Sequence, residues 1–293
     1  MPSPPLPVAR SATSLPATTR SATARSAQRI GRDMTDLQKL LAQDTVEPTP
    51  ELVAELSAAL RSPDPEVRDA QAYELLDYCI PIMEPELRHW LGEEMAARFT
   101  DPQIQARTFA PLILAVLVDN GTYRPEWQAA FARWYPAETD LRGHHPELGW
   151  LHAVAHGADL LGALGRCPQV GPAPLLELAR ERLLTPTGHL FDAMEDDRLG
   201  RAIALVLTRT ELTEQESVQW LAPIAADFAA GQPGPVPAHA SNTMRTLRVL
   251  YLLADRGVRP PRQEDGPALA LAHAGAVREA VAATLAICSP YAG

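Results

Sequence analysis

The chain has 293 residues, of which 46% are hydrophobic, and its formal net charge is −10. This hydrophobic fraction excludes an intrinsically disordered protein, and the negative charge opposes non-specific binding to nucleic-acid backbones. Aromatic residues make up only 5% of the chain, whereas Ala and Leu, the strongest helix formers, are abundant, so we expect an all-α fold.

Residues 1–33 differ in composition from the rest of the chain. They are rich in Ser, Thr, Ala and Pro and contain five arginines, and their only acidic residue is Asp33. The segment lacks the apolar stretch of a secretory signal, and we predict a disordered tail. Our preferred explanation is a mis-assigned start, with Met34 as the true first residue; the alternative is a genuine basic arm. Residues 34–293 would then form a single helical-repeat domain.

From residue 34 onward, apolar residues recur with helical periodicity between turn signals, and no segment alternates as a strand would. Proline stands at several predicted helix starts, where its missing N–H costs nothing; these prolines are Pro50, Pro65, Pro85, Pro102 and Pro125. Asp64 and Asp101 precede two of them as natural N-caps. The predicted helices cover 35–43, 50–61, 64–79, 85–99, 102–118, 125–134, 148–166, 173–184, 189–209, 213–229, 240–256 and 264–287.

Two predicted helix starts resemble each other. The segments 64–68 (Asp-Pro-Glu-Val-Arg) and 101–105 (Asp-Pro-Gln-Ile-Gln) are separated by 37 positions, close to the length of one helical-hairpin repeat. The Asp-Pro-x-Val-Arg form resembles the start of the second helix of a HEAT repeat. We therefore predict an irregular α-solenoid of HEAT-like helix pairs. A compact non-repeat helical bundle is the alternative.

The cysteines and the apolar runs indicate in which cellular compartment the protein is expected. Cys79, Cys167 and Cys288 are far apart and form no CxxC pair, which argues against a disulfide framework and against a cysteine-based zinc site. No segment approaches the roughly 18 to 20 apolar residues of a membrane span; the run 112–118 indicates a buried helix. We expect a cytoplasmic protein that binds neither membranes nor nucleic acids.

A polar stripe stands out on the predicted helix 148–166. At about 100° per residue, His152, His156 and Asp159 share one side, whereas Trp150 and Val154 lie on nearly the opposite side. Two imidazoles at i and i+4 can bind one metal ion, and a carboxylate three residues later can join them. This His-x3-His-x2-Asp helix predicts a divalent metal site.

Two acidic residues on another predicted helix, Glu195 and Asp196, complete the candidate metal-ligand set. The zinc-peptidase pattern is excluded because Ala153 stands where such enzymes carry the catalytic Glu. A structural network is the alternative to a metal site, with Asp159 paired to Arg198 or Arg142. His189 stands alone in the sequence and carries no signal of its own.

A candidate ligand or partner surface comprises Asp140, Arg142, Trp150 and Arg198. Because the sequence contains no complete catalytic set, we predict a protein- or peptide-binding scaffold. A metal-dependent enzyme, hydrolytic in type, is the alternative. In it, a bound metal would lower the pKa of a coordinated water.

The segment Gly149-Trp150-x-His152-Ala153-x-Ala155-His156-Gly157-Ala158-Asp159 resembles the hallmark of a bacterial family, domain of unknown function 2785. The stretches 68–73 (Arg-Asp-x-x-Ala-Tyr), 140–143 (Asp-x-Arg-Gly) and 195–199 (Glu-Asp-Asp-Arg-Leu) are similar to that family as well. The resemblance extends from about residue 45 onward. It implies membership of a group and no particular activity.

Overall fold

The computed structural model describes residues 45–262 and 265–289. The predicted tail 1–33 and the predicted helix 35–43 lie outside the described residues. The described chain is helical apart from a two-stranded antiparallel hairpin and one isolated bridge between Val258 and Leu269. The all-α prediction is therefore confirmed. No helix among the described residues is both long enough and apolar enough to cross a membrane.

The helices are numbered here from the first one described, in chain order. They are α1 Pro50–Ala59, α2 Pro65–Val67, a π-helical turn Arg68–Tyr73, α3 Glu74–Cys79, a 3-10 turn Ile80–Ile82, α4 Pro85–Ala97, a 3-10 turn Arg98–Thr100, α5 Ile104–Asp119, α6 Pro125–Trp134, α7 Ala153–Arg166, α8 Ala173–Leu184, α9 Glu195–Val206, α10 Glu214–Gln219, α11 Ala222–Ala229, α12 Ala238–Arg256 and α13 Ala274–Ala286. The strands are β1 His144–His145 and β2 Gly149–Trp150.

Most of the proline-marked helix starts are confirmed. Pro50, Pro65, Pro85 and Pro125 each open a helix, and the Asp64 side chain caps α2 by accepting a bond from the backbone N–H of Glu66 at 2.9 Å. Pro102 is the exception. Helix α5 begins at Ile104, because the Asp101 carboxylate accepts the backbone N–H of Gln103 (2.8 Å) in a turn before the helix.

Four helices that are not consecutive in the chain pack side by side through the centre of the molecule. Helix α5 contacts α7, α7 contacts α9, and α9 contacts α12. Around this row, α4 packs on α5 and α6, while α8 touches α7, α9 and α12. Residues 113–118 of α5 are all buried, which confirms the buried helix predicted for that run.

Three predicted helices begin at least five residues later than the periodicity indicated. The predicted helix 148–166 starts at Ala153, because residues 149–150 pair with 144–145 as a hairpin. Trp150 is therefore not on the helix, and its predicted place on the helical wheel was wrong. Helix α9 starts at Glu195 instead of 189, and α13 at Ala274 instead of 264.

Glycines allow α7 and α9 to approach closely. A Cβ atom added at Gly165 would lie 2.7 Å from Val206 Cγ2 and 3.2 Å from the Val206 backbone nitrogen. One turn earlier, a Cβ at Gly162 would lie 3.2 Å from Leu205 Cδ1. At these points Val206 and Leu205 of α9 therefore pack directly against the backbone of α7, which lets the two helices lie close together.

We expect Gly165→Ala to lower the free energy of unfolding by about 1–3 kcal/mol, because overpacking against the Val206 backbone outweighs the better helix propensity of alanine. Denaturant unfolding measures this change. Gly275→Ala in α13 is the matched control, since its Cβ would meet no atom within 4 Å. A Gly165→Ala protein as stable as this control would contradict the close packing.

Candidate functional site

A short hairpin connects α6 to α7 and shapes the candidate site. His144 pairs with Trp150, and His145 with Gly149. The pairing extends beyond the strands, because Leu151 N–H donates to the Gly143 carbonyl at 2.8 Å and His152 N–H to the Arg142 carbonyl at 3.1 Å. Gly149 has a φ of +68°, and a Cβ there would lie 2.7 Å from Pro65 Cβ. The hairpin therefore lies directly against the segment that begins with α2.

Arg68 holds the hairpin from that segment. Its guanidinium is fully buried, and Nη2 donates to the carbonyls of Leu148 (2.8 Å) and Trp150 (3.1 Å). Nε lies 2.7 Å from Asp69 Oδ1, and the guanidinium carbon lies 4.8 Å from the centre of the Phe109 ring. A buried charge is tolerated when it is paired and hydrogen-bonded, so these contacts both stabilise Arg68 and fix the hairpin.

His152 lies where the hairpin meets α7. Its backbone is left-handed, with φ 49° and ψ 39°, and it precedes the first residue of the helix. Its ring stacks on Trp150, with ring centroids 4.3 Å apart and an interplanar angle of 6°. Its Nδ1 is 3.7 Å from Glu195 Oε1, and both atoms are buried without a hydrogen-bond partner among the described residues.

Glu195 is fully buried at the first position of α9. Gly143 makes room for it, because a Cβ there would lie 2.5 Å from Glu195 Oε1. Burial favours a raised pKa for this carboxyl, but the His152 side chain and the backbone N–H groups of Glu195 and Ala193 outweigh burial and hold the pKa below its ordinary value. Glu195 is therefore a buried carboxylate with one oxygen lacking a donor.

His156 lies one turn after His152 on α7, with the two ring centroids 5.5 Å apart. Its Nδ1 is 2.9 Å from the carbonyl oxygen of Thr108. A carbonyl can only accept, so the proton is on Nδ1 and the lone pair is on Nε2. Burial, followed by the charges of Arg198 and His152, holds the pKa of His156 well below its ordinary value, and the imidazole is neutral.

Arginine side chains engage the two aspartates of the predicted metal set. Asp159 forms an ion pair with Arg198, whose Nε lies 3.2 Å from Asp159 Oδ1. Asp196 lies 2.7 Å from Arg245 Nε. The Asp159–Arg198 pair is the structural alternative that the sequence had left open. Of the predicted metal ligands, the structure therefore brings His152 and Glu195 together with unpartnered atoms.

Within the predicted partner surface, Asp140 and Arg142 pair with each other. Arg142 donates to both carboxylate oxygens of Asp140, at 2.8 and 2.6 Å. The side-chain bond from Arg142 lowers the pKa of Asp140, and the same bond raises the pKa of Arg142. Trp150 is 40% exposed beside His152. For Arg198, burial is the main influence and lowers the pKa to about 10.

Two residues that sequence reasoning missed, His189 and Asp192, lie in the loop before α9. One ring nitrogen of His189, an Asp192 carboxylate oxygen and a Glu195 carboxylate oxygen all lie within 4.8 Å of one another. Asn242 holds this loop, accepting the N–H of Phe191 and donating to the carbonyl of His189, both at 2.9 Å. The sequence signal for this group is only that its members are three positions apart. In a loop, unlike in a helix, this spacing does not place side chains on one face.

Residues 95–252 match the family model described as a protein of unknown function, DUF2785. The chain belongs to the DUF2785 family. The DUF2785 match contains the hairpin, the His152–Glu195 contact and the His189 loop, whereas Arg68 lies before it. It begins later than the resemblance from about residue 45 had indicated. No curated protein and no solved structure matches the chain.

We expect Arg68→Lys to destabilise the fold by about 3 kcal/mol or more, because an ammonium group cannot replace the bonds to both hairpin carbonyls and leaves buried groups unpaired. The midpoint of guanidinium unfolding measures the loss. Arg61→Lys is the control: Arg61 pairs with Asp101 and is 40% exposed, so we expect a change of at most about 1 kcal/mol. Equal losses in the two variants would contradict the role assigned to Arg68.

The lowered pKa of His156 makes the fold sensitive to acid. Below about pH 6.5 the unfolded chain binds a proton at this histidine before the folded chain does, so stability falls as the pH falls, by up to about 1.4 kcal/mol per pH unit. We expect His156→Gln to reduce this slope between pH 6.5 and 5 in urea unfolding. His144→Gln, which removes an exposed histidine from the hairpin, should retain the wild-type slope.

Proposed function

We propose that the protein binds a peptide segment of a partner protein, with Trp150 as the main anchor. The exposed but rigidly held indole of Trp150 carries this proposal. Its ring stacks on the buried His152, and its carbonyl accepts a bond from Arg68. A partner covering this ring gains apolar contact without having to order a flexible side chain, which is typical of tryptophan at the centre of interfaces.

Two further apolar side chains are exposed in the loop before α9, which approaches the hairpin where Ala193 lies against Gly143. Leu190 is 49% exposed and Met194 is 51% exposed, and this loop ends at Glu195, which faces the ring of His152. A single exposed apolar residue is normal on a protein surface. Three of them, on the hairpin and on the loop that approaches it, support an interaction surface.

Negative charge on the loop, on the hairpin and on the chain as a whole favours a basic peptide as the bound partner. Asp192 and Glu147 are exposed in the loop and the hairpin, and the whole chain carries a net charge of −10. Complementary charge speeds association and disfavours wrong partners. The same sign of charge disfavours a nucleic acid, so the proposed occupant is a peptide with apolar and basic side chains.

The arrangement of the helices is compatible with a scaffold. We propose a short α-solenoid of HEAT-like pairs, supported by the row of non-consecutive helices α5, α7, α9 and α12, each of which contacts the next. Such stacking gives a continuous surface for extended partners. The three free cysteines support a reducing, cytoplasmic location.

A metal-dependent hydrolase is the second candidate, and one observation favours it. The bond from His156 Nδ1 to a backbone carbonyl leaves Nε2 free in the way that is typical of metal-binding histidines. However, Asp159 and Asp196 would have to leave Arg198 and Arg245 before they could join a metal site. Partner binding is therefore the function that the geometry supports better.

Selection of random peptides from a display library on the immobilised protein tests the proposal. We expect enriched sequences that combine apolar and basic residues, and Trp150→Ala should weaken a synthetic peptide from this set about thirtyfold or more, because a central tryptophan contributes about 2 kcal/mol or more.

Trp90→Ala is the matched control, since Trp90 lies on α4 and is 39% exposed. It should bind the same peptide as the wild type does. Absence of enrichment, or equal binding by Trp150→Ala and Trp90→Ala, would overturn the proposal.

A further inference from the structure

We propose that His189, Asp192 and Glu195 bind a divalent metal ion of the first transition row, such as Zn²⁺. This inference is independent of partner binding, and it uses two residues to which the sequence assigned no role. It also differs from the metal site predicted on α7, with which it shares Glu195 alone.

The three side chains converge on one point. One ligand atom from each lies within 4.8 Å of the other two, whereas the ligands of a tetrahedral zinc ion are roughly 3.4 Å apart. A small inward movement would therefore complete the site. Asp192 can make most of that movement, because its side chain is 74% exposed.

His189 and Glu195 each have one buried polar atom without a hydrogen-bond partner among the described residues. His189 Nε2 is buried without a partner among the described residues, and it lies 3.9 Å from Asp192 Oδ1, beyond hydrogen-bond range. Glu195 is fully buried, and its Oε1 also lacks a hydrogen-bond partner. Buried polar atoms are nearly always satisfied, so an unpartnered imidazole nitrogen and an incompletely bonded, buried carboxylate in one group of three side chains support a bound cation.

The protein already holds the ligand backbone in position. Asn242 is 1% exposed and bonds to the backbone on both sides of Leu190, at the His189 carbonyl and the Phe191 N–H. The Phe191 ring is buried, and the Thr187 hydroxyl accepts the N–H of His189 at 3.0 Å. Glu195 is fixed by α9 and accepts the N–H of Ala193 at 2.9 Å. Metal binding therefore needs to order little of the backbone that carries the ligands.

The donor set selects the class of ion. One imidazole with two carboxylates suits zinc and its neighbours in the first transition row, whereas Mg²⁺ and Ca²⁺ prefer oxygen ligands alone. The nearby His152 Nδ1, 3.7 Å from Glu195 Oε1, is placed to donate to the ligating carboxylate from outside the metal. Such supporting bonds are common around metal-binding carboxylates.

Calorimetric titration of the full chain with Zn²⁺, after treatment with a chelator and without a histidine tag, tests this site. We expect one equivalent to bind. His189→Gln and Asp192→Asn should each weaken binding by at least about tenfold, since each removes a ligand and neither residue is buried in the core. X-ray absorption at the zinc edge should show nitrogen and oxygen ligands at about 2.0–2.2 Å and no sulfur.

Asp227→Asn is the matched control, because Asp227 forms another His–Asp pair, with His239 at 3.2 Å. This variant should bind Zn²⁺ as tightly as the wild type does. Trp150→Ala should also retain Zn²⁺, so a failure of the partner proposal would not affect this one. Absence of a stoichiometric ion, or unchanged affinity in His189→Gln and Asp192→Asn, would overturn the proposal.

Discussion

The buried guanidinium of Arg68 is the contact on which the candidate site depends. It joins the π-helical turn to a hairpin 80 positions further along the chain, through the carbonyls of Leu148 and Trp150. A π-helical turn widens the helix locally, and such turns occur frequently at functional sites. Here the turn starts with Arg68, and this residue fixes the backbone that carries both Trp150 and His152.

Glu195 connects the hairpin held by Arg68 to helix α9. The glycines of α7 bring that helix against α9, so the left-handed residue that starts one helix lies beside the first carboxylate of the other. A buried carboxylate is costly unless it is compensated. The contact with His152, the N–H of Ala193 and the N-terminal end of the α9 dipole each supply part of the compensation, while Oε1 stays open. Glu195 is a ligand of the proposed metal site and also lies beside the proposed peptide surface. Neither proposal requires the other.

Local signals in the sequence were sufficient to predict much of the fold. Pro50, Pro85 and Pro125 mark helix starts because the effect of proline on the first turn is a property of the residue itself. The run 112–118 predicts a buried helix because it is apolar on every face, and all of it except the partly buried Leu112 is buried. The sequence also offered Arg198 and Arg142 as structural partners of Asp159, and the structure pairs it with Arg198.

What could not be predicted depends on contacts between distant segments. Trp150 fits a helical wheel, but the positive φ of Gly149 and the clamp from Arg68 place it in a hairpin. His189 carries no periodic signal, and its position depends on the Asn242 side chain, 53 positions later in the chain. Sequence reasoning grouped His152 with Glu195 by residue type alone, and only the packing of α7 on α9 explains why they meet.

The two helices that meet at the site both start from a residue in the left-handed conformation, His152 at φ 49° and Met194 at φ 65°. Side chains larger than glycine lose about 1–3 kcal/mol in such a backbone. The site therefore stores conformational energy at two points that glycine would relieve. Glycine at Met194, which is 51% exposed, would relieve strain with little loss of packing, whereas glycine at His152 would also remove the ring that supports Trp150 and Glu195, so stability and function compete at this second position.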